Sequence, residues 1–334
     1  MRIILVGFGV VGQAFARLTH LQRKELMSRF GLNPRIVAVV DSGGYAFNLK
    51  GLEIESLLTA KSKSGTVASL GESSADALHV IKDIEAEVLV EATPTDVNTG
   101  QPGMSHIESA FAAGKHVITV NKGPLGLALP ALTELALHNN VQFLFSGCVG
   151  GGTPVLDFGK RCLAVDRILE IHGVLNGTTN FILSKMESEP LDFDDALKEA
   201  QKLGYAEADP TLDVDGWDTA IKTVIMANWL MGKEITIKDV DARGIRNITQ
   251  KDLKNAADDR KRIRLIGSID NKITIGPRLI SENDPLCVSG TLNAVQFKSE
   301  FAGDEIIVGK GSGGLETASA ILRDLLTVRN HLVS

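Results

Sequence analysis

The sequence predicts an α/β protein in two parts: a parallel-sheet domain first, then an α+β domain. Three observations lead there. Short apolar, β-branched runs alternate with helical patterns over the first 150 residues. A glycine-rich turn, Gly7-Phe8-Gly9-Val10-Val11-Gly12, joins the first apolar run to the first helical one. The alternation stops at Gly150-Gly151-Gly152, which Thr153-Pro154 follows as a loop leading out of the domain.

The strands expected in the first part are Ile3–Val6, Ile36–Val40, Val88–Val90, Val117–Val120 and Val141–Phe145. Helical patterns lie between them around Val11–Phe30, Ser105–Ala113 and Leu129–His138. Strands separated by helices form βαβ units, so the sheet is parallel and covered on both faces. The second part shows helical stretches at Phe193–Leu203 and Trp217–Met231, then strand-like runs at Lys272–Ile275, Val288–Gly290 and Asn293–Phe297. The tail carries a strand at Ile306–Val308, a glycine-rich turn and a helix expected to pack back on the first domain. The expected division is therefore 1–150 completed by 305–334, and 151–304.

Composition narrows the function. The chain has 334 residues, 44% of them hydrophobic and 23% charged, enough for a core without staples. The formal net charge of −6, with no basic block, lacks the electrostatic footprint of a nucleic-acid binder. Aromatics at 5% are too few for a base-stacking surface. Cys148, Cys162 and Cys287 are too widely spaced for a metal knuckle or disulfide framework. The N-terminus lacks a signal-peptide pattern, and no apolar run reaches the length of a membrane span. A cytoplasmic protein without membrane or nucleic-acid partners is expected.

The glycine turn gives the first chemistry. Gly7 permits the tight turn, Gly9 lets a pyrophosphate reach the backbone, and Gly12 lets helix and strand pack closely. The helix N-terminus offers unpaired N–H groups to phosphate. This reads as a Rossmann-type dinucleotide site made by Gly7, Phe8, Gly9, Val10, Val11 and Gly12. Asp41 closes the second strand as the expected ribose-binding acid. A carboxylate there favours NAD over NADP; the other reading is a loop cap, since Ser42-Gly43-Gly44 follows. Thr93-Pro94 and Asn121-Lys122-Gly123-Pro124 end the next strands, where the fold delivers loops to a cofactor. Thr93 is either a nicotinamide-ribose contact or a capping hydroxyl.

The densest chemistry lies in residues 200–222. Glu207, Asp209, Asp213 and Asp215 occupy a loop punctuated by glycine and proline, and Asp218 and Lys222 sit four apart on a helix, sharing a face. Carboxylates can hold the ammonium of an amino-acid substrate, while a lysine can protonate an oxygen being reduced. The other readings are an exposed helix pair, loop caps, or oxygen ligands for a hard cation.

These residues carry a resemblance. The stretch Ala200–Lys222 resembles the signature of homoserine dehydrogenases: Ala, Gly-aromatic, Asp-Pro, then Asp-aliphatic-x-Gly-x-Asp-x-x-x-Lys. His172–Leu183, with Asn176-Gly177-Thr178-Thr179-Asn180, resembles the family's second hallmark, and Val308–Ala318 its C-terminal glycine loop and closing helix. The resemblance implies NAD(P)-dependent interconversion of L-aspartate 4-semialdehyde and L-homoserine, on the route to threonine, methionine and isoleucine. It implies Lys222 as proton donor with Asp218 as its partner, and Glu207, Asp213, Asn176, Gly177 and Thr178 on the substrate. Thr93, Pro94, Lys122 and Gly311 fall at cofactor positions. It further implies a homodimer formed through the second domain. Some relatives hold a monovalent cation, sodium or potassium, on backbone carbonyls matching Val149, Gly151 and Thr153. Ser146 departs from the carboxylate expected beside that site. The residues after Leu326 are too few for the family's regulatory appendage, so a short form is expected. The rivals are another small amino-acid or semialdehyde dehydrogenase, and a non-catalytic NAD(P)-binding sensor.

Overall fold

The computed structural model describes residues 1–74 and 76–333. The chain divides into two compact units, Met1–Cys148 with Gly313–Ser334, and Val149–Ser312.

Unit 1 runs β1 (Arg2–Val6), α1 (Val10–Leu21), α2 (Arg23–Phe30), β2 (Arg35–Asp41), β3 (Gly44–Phe47), α3 (Ile54–Ser64), α4 (Ala77–Asp83), β4 (Val88–Glu91), α5 (Gly103–Ala112), β5 (His116–Thr119), α6 (Lys122–His138) and β6 (Phe143–Leu144). Its six-stranded sheet has the order β3-β2-β1-β4-β5-β6. The pairings are parallel except for β3, which returns antiparallel along β2. β1 thus has β2 on one side and β4 on the other. In open α/β sheets such a switch point places a crevice at the carboxyl ends of the strands. The inner strands are apolar because both faces are covered: Ile3, Leu5, Val39, Val88, Val90 and Ile118 are all buried.

The segment read as one helix from Val11 to Phe30 is two, broken at Gln22, and Gly31 ends the second in a left-handed conformation (φ 60°). The helix read from Leu129 begins earlier, at Lys122. Proline and glycine hid its first turns, and a non-helical Ala128 kinks it just before Pro130.

Unit 2 begins with a single turn, α7 (Val155–Asp157), then β7 (Ile168–Val174), α8 (Gly177–Ser188), α9 (Phe193–Lys202), α10 (Thr211–Val214), α11 (Trp217–Met231), α12 (Gln250–Asp258), β8 (Lys261–Ile269), β9 (Ile273–Ser281), β10 (Leu292–Ser299) and β11 (Gly303–Lys310). The last four strands join β7 in a five-stranded sheet of order β11-β10-β7-β8-β9, with all pairings antiparallel. The run Val288–Gly290 is not a strand. The Val288 carbonyl instead accepts from the side chains of Asn180 and Arg264, which fixes it as a loop. α11 is buried from Asp218 to Asn228 and runs between two left-handed glycines, Gly216 (φ 88°) and Gly232 (φ 62°).

The tail, read as one piece from residue 305, divides. β11 pairs with β10 in the second sheet. The helix after it, α13 (Gly314–Val333), packs on α1 and gives Ala318, Ile321, Leu325 and Val328 to the core of unit 1. Among the described residues no helix is long and apolar enough to cross a membrane. Among the described residues no disulfide links Cys148, Cys162 or Cys287.

Candidate active site

In unit 2 the lysine and two of the acids are brought together with the asparagine motif. α11 starts just after Gly216, so Asp218 lies in its first turn and Lys222 one turn later on the same face. Both side chains are buried, at 10% and 7% exposure, so this is not the exposed helix pair that the spacing alone allowed. Lys222 Nζ donates to Asp218 Oδ2 at 2.6 Å and to the Leu175 carbonyl at 2.7 Å.

Leu175 directly follows β7, and the next residue, Asn176, caps α8. Asn176 Oδ1 accepts from the Thr179 backbone at 2.8 Å. Its amide nitrogen is left to bridge two acids, Asp213 Oδ1 at 2.6 Å and Asp218 Oδ2 at 2.9 Å. The Thr178 hydroxyl lies 3.0 Å from Asp213 Oδ2 and 2.7 Å from the Tyr205 carbonyl. Gly177 has no room for a side chain, because a Cβ would lie 2.9 Å from the Thr291 carbonyl oxygen.

The charges do not balance. Two carboxylates face one ammonium. Burial first, and the Asp218 charge second, push the Asp213 carboxyl above the usual carboxylate range, against the pull of Asn176, Lys222 and Thr178. An arriving ammonium group would relieve that imbalance. The other acids of the stretch do different work. Asp215 Oδ1 accepts from Arg246 Nε at 2.5 Å, Asp209 caps its own turn through the Thr211 N–H, and Glu207 is exposed outside the cluster.

In unit 1 the glycine turn lies at the carboxyl end of β1. Gly7 has φ 97°, and a Cβ there would meet the Ala92 carbonyl oxygen at 2.3 Å, so both its conformation and its neighbour require glycine. A Cβ on Gly12 would lie 2.1 Å from the Gly7 carbonyl oxygen. Gly9 differs: a Cβ would meet nothing within 4 Å. Protein packing does not demand glycine there, whereas a phosphate approaching the backbone would. Gly9 caps α1 without a side-chain bond, so the first N–H groups of the helix meet no capping side chain. These features fit a dinucleotide. Phe8 is buried in the core, Val10 is 77% exposed and Val11 is partly exposed. Pro94 is exposed and Thr93 and Lys122 are partly so.

Asp41 is committed elsewhere. Oδ1 accepts from the Gly43 N–H at 2.9 Å and the Thr66 hydroxyl at 2.7 Å. Oδ2 accepts from Lys61 Nζ at 2.8 Å and the Val67 N–H at 3.0 Å. Burial alone would raise this carboxyl, but the bonds from Lys61, Thr66 and Gly43 outweigh it and hold the group below the usual carboxylate range. Of its two readings, the geometry supports the loop-organising one. With its charge met by Lys61, Asp41 supplies no argument for NAD over NADP.

Gly311 belongs to unit 2, where a Cβ would collide with the Asn293 amide at 1.9 Å. Around the proposed cation position, Gly150 and Gly151 are left-handed (φ 83° and 56°). The Thr153 carbonyl already accepts from Val155 N at 2.8 Å. Ser146 has its own partner within unit 1: its N–H and hydroxyl donate to Asp324 of α13 at 3.0 and 2.5 Å. Among the described residues no three His, Cys, Asp or Glu side chains form a metal-holding cluster.

Sequence reasoning did not find Lys61, Thr66, Asp324 or the Leu175 carbonyl. Each reaches its partner through the fold rather than through spacing.

Comparison with known proteins follows the same lines. The sequence model of the homoserine dehydrogenase family matches residues 154–326. A homoserine dehydrogenase of Methanocaldococcus jannaschii is 43% identical over 333 residues, 99% of each chain. An NAD(+)-dependent homoserine dehydrogenase of Pseudomonas canavaninivorans is 41% identical, covering 98% of this chain and 96% of its own length. The structure of a hyperthermophilic archaeal homoserine dehydrogenase mutant in complex with NADPH superposes with a TM-score of 0.87 at 27% identity, over 99% of this chain and 98% of that one.

Proposed function

Because the chain belongs to the homoserine dehydrogenase family, we propose that its buried lysine, Lys222, is the proton donor of the reaction that family performs. The enzyme is an oxidoreductase that interconverts L-aspartate 4-semialdehyde and L-homoserine with NAD or NADP. The bound nicotinamide supplies or accepts the hydride. The residues of this chain do the rest.

Lys222 donates a proton to the carbonyl oxygen as it becomes an alcohol, and takes it back in the reverse direction. Asp218, 2.6 Å from its Nζ, orients the ammonium, and the Leu175 carbonyl holds it from a second direction. Asp213, joined to Asp218 through Asn176, binds the substrate's ammonium group, with Thr178 aligning the carboxylate. The single observation that carries this reading is the charge count, two buried carboxylates against one buried ammonium. Glu207, on an exposed loop, is a second ligand of the substrate's amino group. The turn Gly7–Gly12, Thr93, Pro94 and Lys122 hold the cofactor. A monovalent cation on the carbonyls of Val149, Gly151 and Thr153 belongs to the same proposal. Titrating activity with sodium or potassium against an organic cation tests it, and an equal response to all three removes it.

The second sheet is the proposed homodimer face. Its strands and their flanks expose Leu279, Leu292 and Val308. Sedimentation of the protein against a Val308→Lys variant tests this, and an unchanged mass would exclude the face. Three widely spaced cysteines, with no disulfide framework in the sequence, support a reducing, cytoplasmic setting.

The test of the function is NADH and NADPH oxidation with aspartate semialdehyde, for the wild type and Lys222→Ala. Turnover should fall with little change in cofactor affinity, because the proton is needed only as charge develops on oxygen. Full turnover in the variant would end the assignment.

A further inference from the structure

We propose that Glu91 is a positioning residue for the cofactor, acting through Thr93 and Asn121; this rests on the reading that Thr93 and Lys122 face the dinucleotide. Glu91 is the last residue of β4 and has no exposed surface. A carboxylate in the middle of a parallel sheet is costly unless its hydrogen bonds are met.

Its partners are one-directional. Oε1 accepts from the Thr93 N–H at 3.1 Å and from the Thr93 hydroxyl. Oε2 accepts from the Thr119 hydroxyl at 3.1 Å. His106 Nδ1, on α5, lies 3.5 Å from Oε1. Each threonine has one hydroxyl proton, and Glu91 takes both. Their oxygens are then left as acceptors, and both accept from the same residue: Asn121 Nδ2 donates to Thr93 Oγ1 at 3.1 Å, and the Asn121 N–H to Thr119 Oγ1 at 3.1 Å. Asn121 Nδ2 also reaches the Pro94 carbonyl at 3.2 Å, while its Oδ1 accepts from the Gly123 N–H at 3.1 Å and so caps α6, whose first residue is Lys122.

One carboxylate therefore sets the proton direction of a network whose ends are the Thr93-Pro94 and Asn121-Lys122 stretches. The residue after Glu91 also abuts the glycine turn, through the Ala92 carbonyl oxygen beside Gly7. The network lies beside the switch point between β1 and β4. A glutamine at 91 keeps the shape but turns an NH₂ toward one threonine, so that threonine's proton must point elsewhere.

The experiment is a double-mutant cycle on the full chain, read by NADH fluorescence titration, with homoserine KM and kcat measured at saturating cofactor. Glu91→Gln and Thr93→Val should each weaken NADH about tenfold, the scale of one oriented hydrogen bond to a charged group. The double variant should be no weaker than Thr93→Val, because both changes cut one path. Homoserine KM should stay within about twofold, since Asp213 and Lys222 are untouched. A general loss of structure would instead move both substrates together. If Glu91→Gln binds NADH like the wild type while Thr93→Val is weakened, or if the two effects add, the inference is overturned. If Thr93→Val itself binds NADH normally, the cofactor assignment of Thr93 fails, and this role for Glu91 fails with it. Should Glu91→Gln not fold, Thr119→Val removes the second arm alone: NADH several-fold weaker supports the network, and unchanged binding refutes it.

Discussion

Lys222→Met tests the site most directly, because it removes the ammonium and keeps most of the stem. In the native protein that ammonium gives one bond to Asp218 and one to the Leu175 carbonyl, with both charged side chains almost fully buried. Its loss takes the Nζ charge away from Asp218 and Asp213, which Asn176 bridges. Removing one partner of a buried ion pair costs about 3–5 kcal/mol. At roughly 2–4 °C per kcal/mol for a unit of this size, melting should fall by about 6–20 °C. Turnover should fall separately by about 10²–10⁴, the range for a positioned proton donor, or some 3–5 kcal/mol of barrier. Adding Asp218→Asn removes the stranded charge. The double variant should therefore regain most of the lost stability and none of the activity. Differential scanning calorimetry gives the first quantity, and stopped-flow oxidation of NADPH with aspartate semialdehyde the second. If Lys222→Met keeps kcat within about threefold, or if the double variant recovers turnover with stability, the lysine is structural and the mechanism is wrong.

Four further outcomes follow from the same geometry. Asp213→Asn should weaken homoserine binding yet raise the melting temperature at neutral pH. Its carboxyl is held above its unfolded value, so its favourable contribution exists at acid pH and is lost as pH rises through the raised value; melting curves of the two proteins should converge toward pH 4, and parallel curves at all pH would refute this. Gly9→Ala should fold normally and bind NADH at least about tenfold more weakly, because its Cβ is blocked by a ligand and not by protein. Gly12→Ala should instead lose several degrees of melting temperature, since its Cβ meets the Gly7 carbonyl at 2.1 Å; the reverse pattern in titration and melting would exclude this turn as the phosphate cradle. Asp41→Ala should destabilise the protein by about 2–4 kcal/mol, through stranded partners, while shifting KM for NADH and NADPH alike; a selective gain for NADPH would restore it as a ribose ligand. That depressed carboxyl contributes above its unfolded value near pH 4 and is lost on acidification below it.

What the residues disclosed in advance depended on the range of the interaction. The β1 turn was legible because Gly7, Gly9 and Gly12 act within six residues, and Asp218 with Lys222 because a helical turn brings i and i+4 together. The strand Val288–Gly290 was misread because an apolar tripeptide carries no record of which side chains claim its carbonyl. α6 was shortened because Pro124 and Pro130 look like breaks, although proline is tolerated in a first turn and a kink absorbs the second. β8 and β9 went largely unread, since Arg262 and Arg264 interrupt an alternation that proves to be buried. Arg264 can be covered because Glu187 of α8 meets it at 2.7 Å, from 77 residues away, and the Val288 and Ile263 carbonyls accept from its guanidinium. The partners of Asp41 were hidden for the same kind of reason: Lys61 and Thr66 reach it from α3 and the loop beyond, and nothing near Asp41 announces them.

The return of the chain after Ser312 sets an order of events at the ribosome. Residues 149–312 are contiguous, so their core can close once they have emerged. The unit that starts with Met1 is synthesised first but finishes last, because α13 supplies Ala318, Ile321, Leu325 and Val328 to its interior. Until α13 is translated, the earliest-made strands keep their apolar α13-facing surface open to water, which is where a chaperone would be expected to wait.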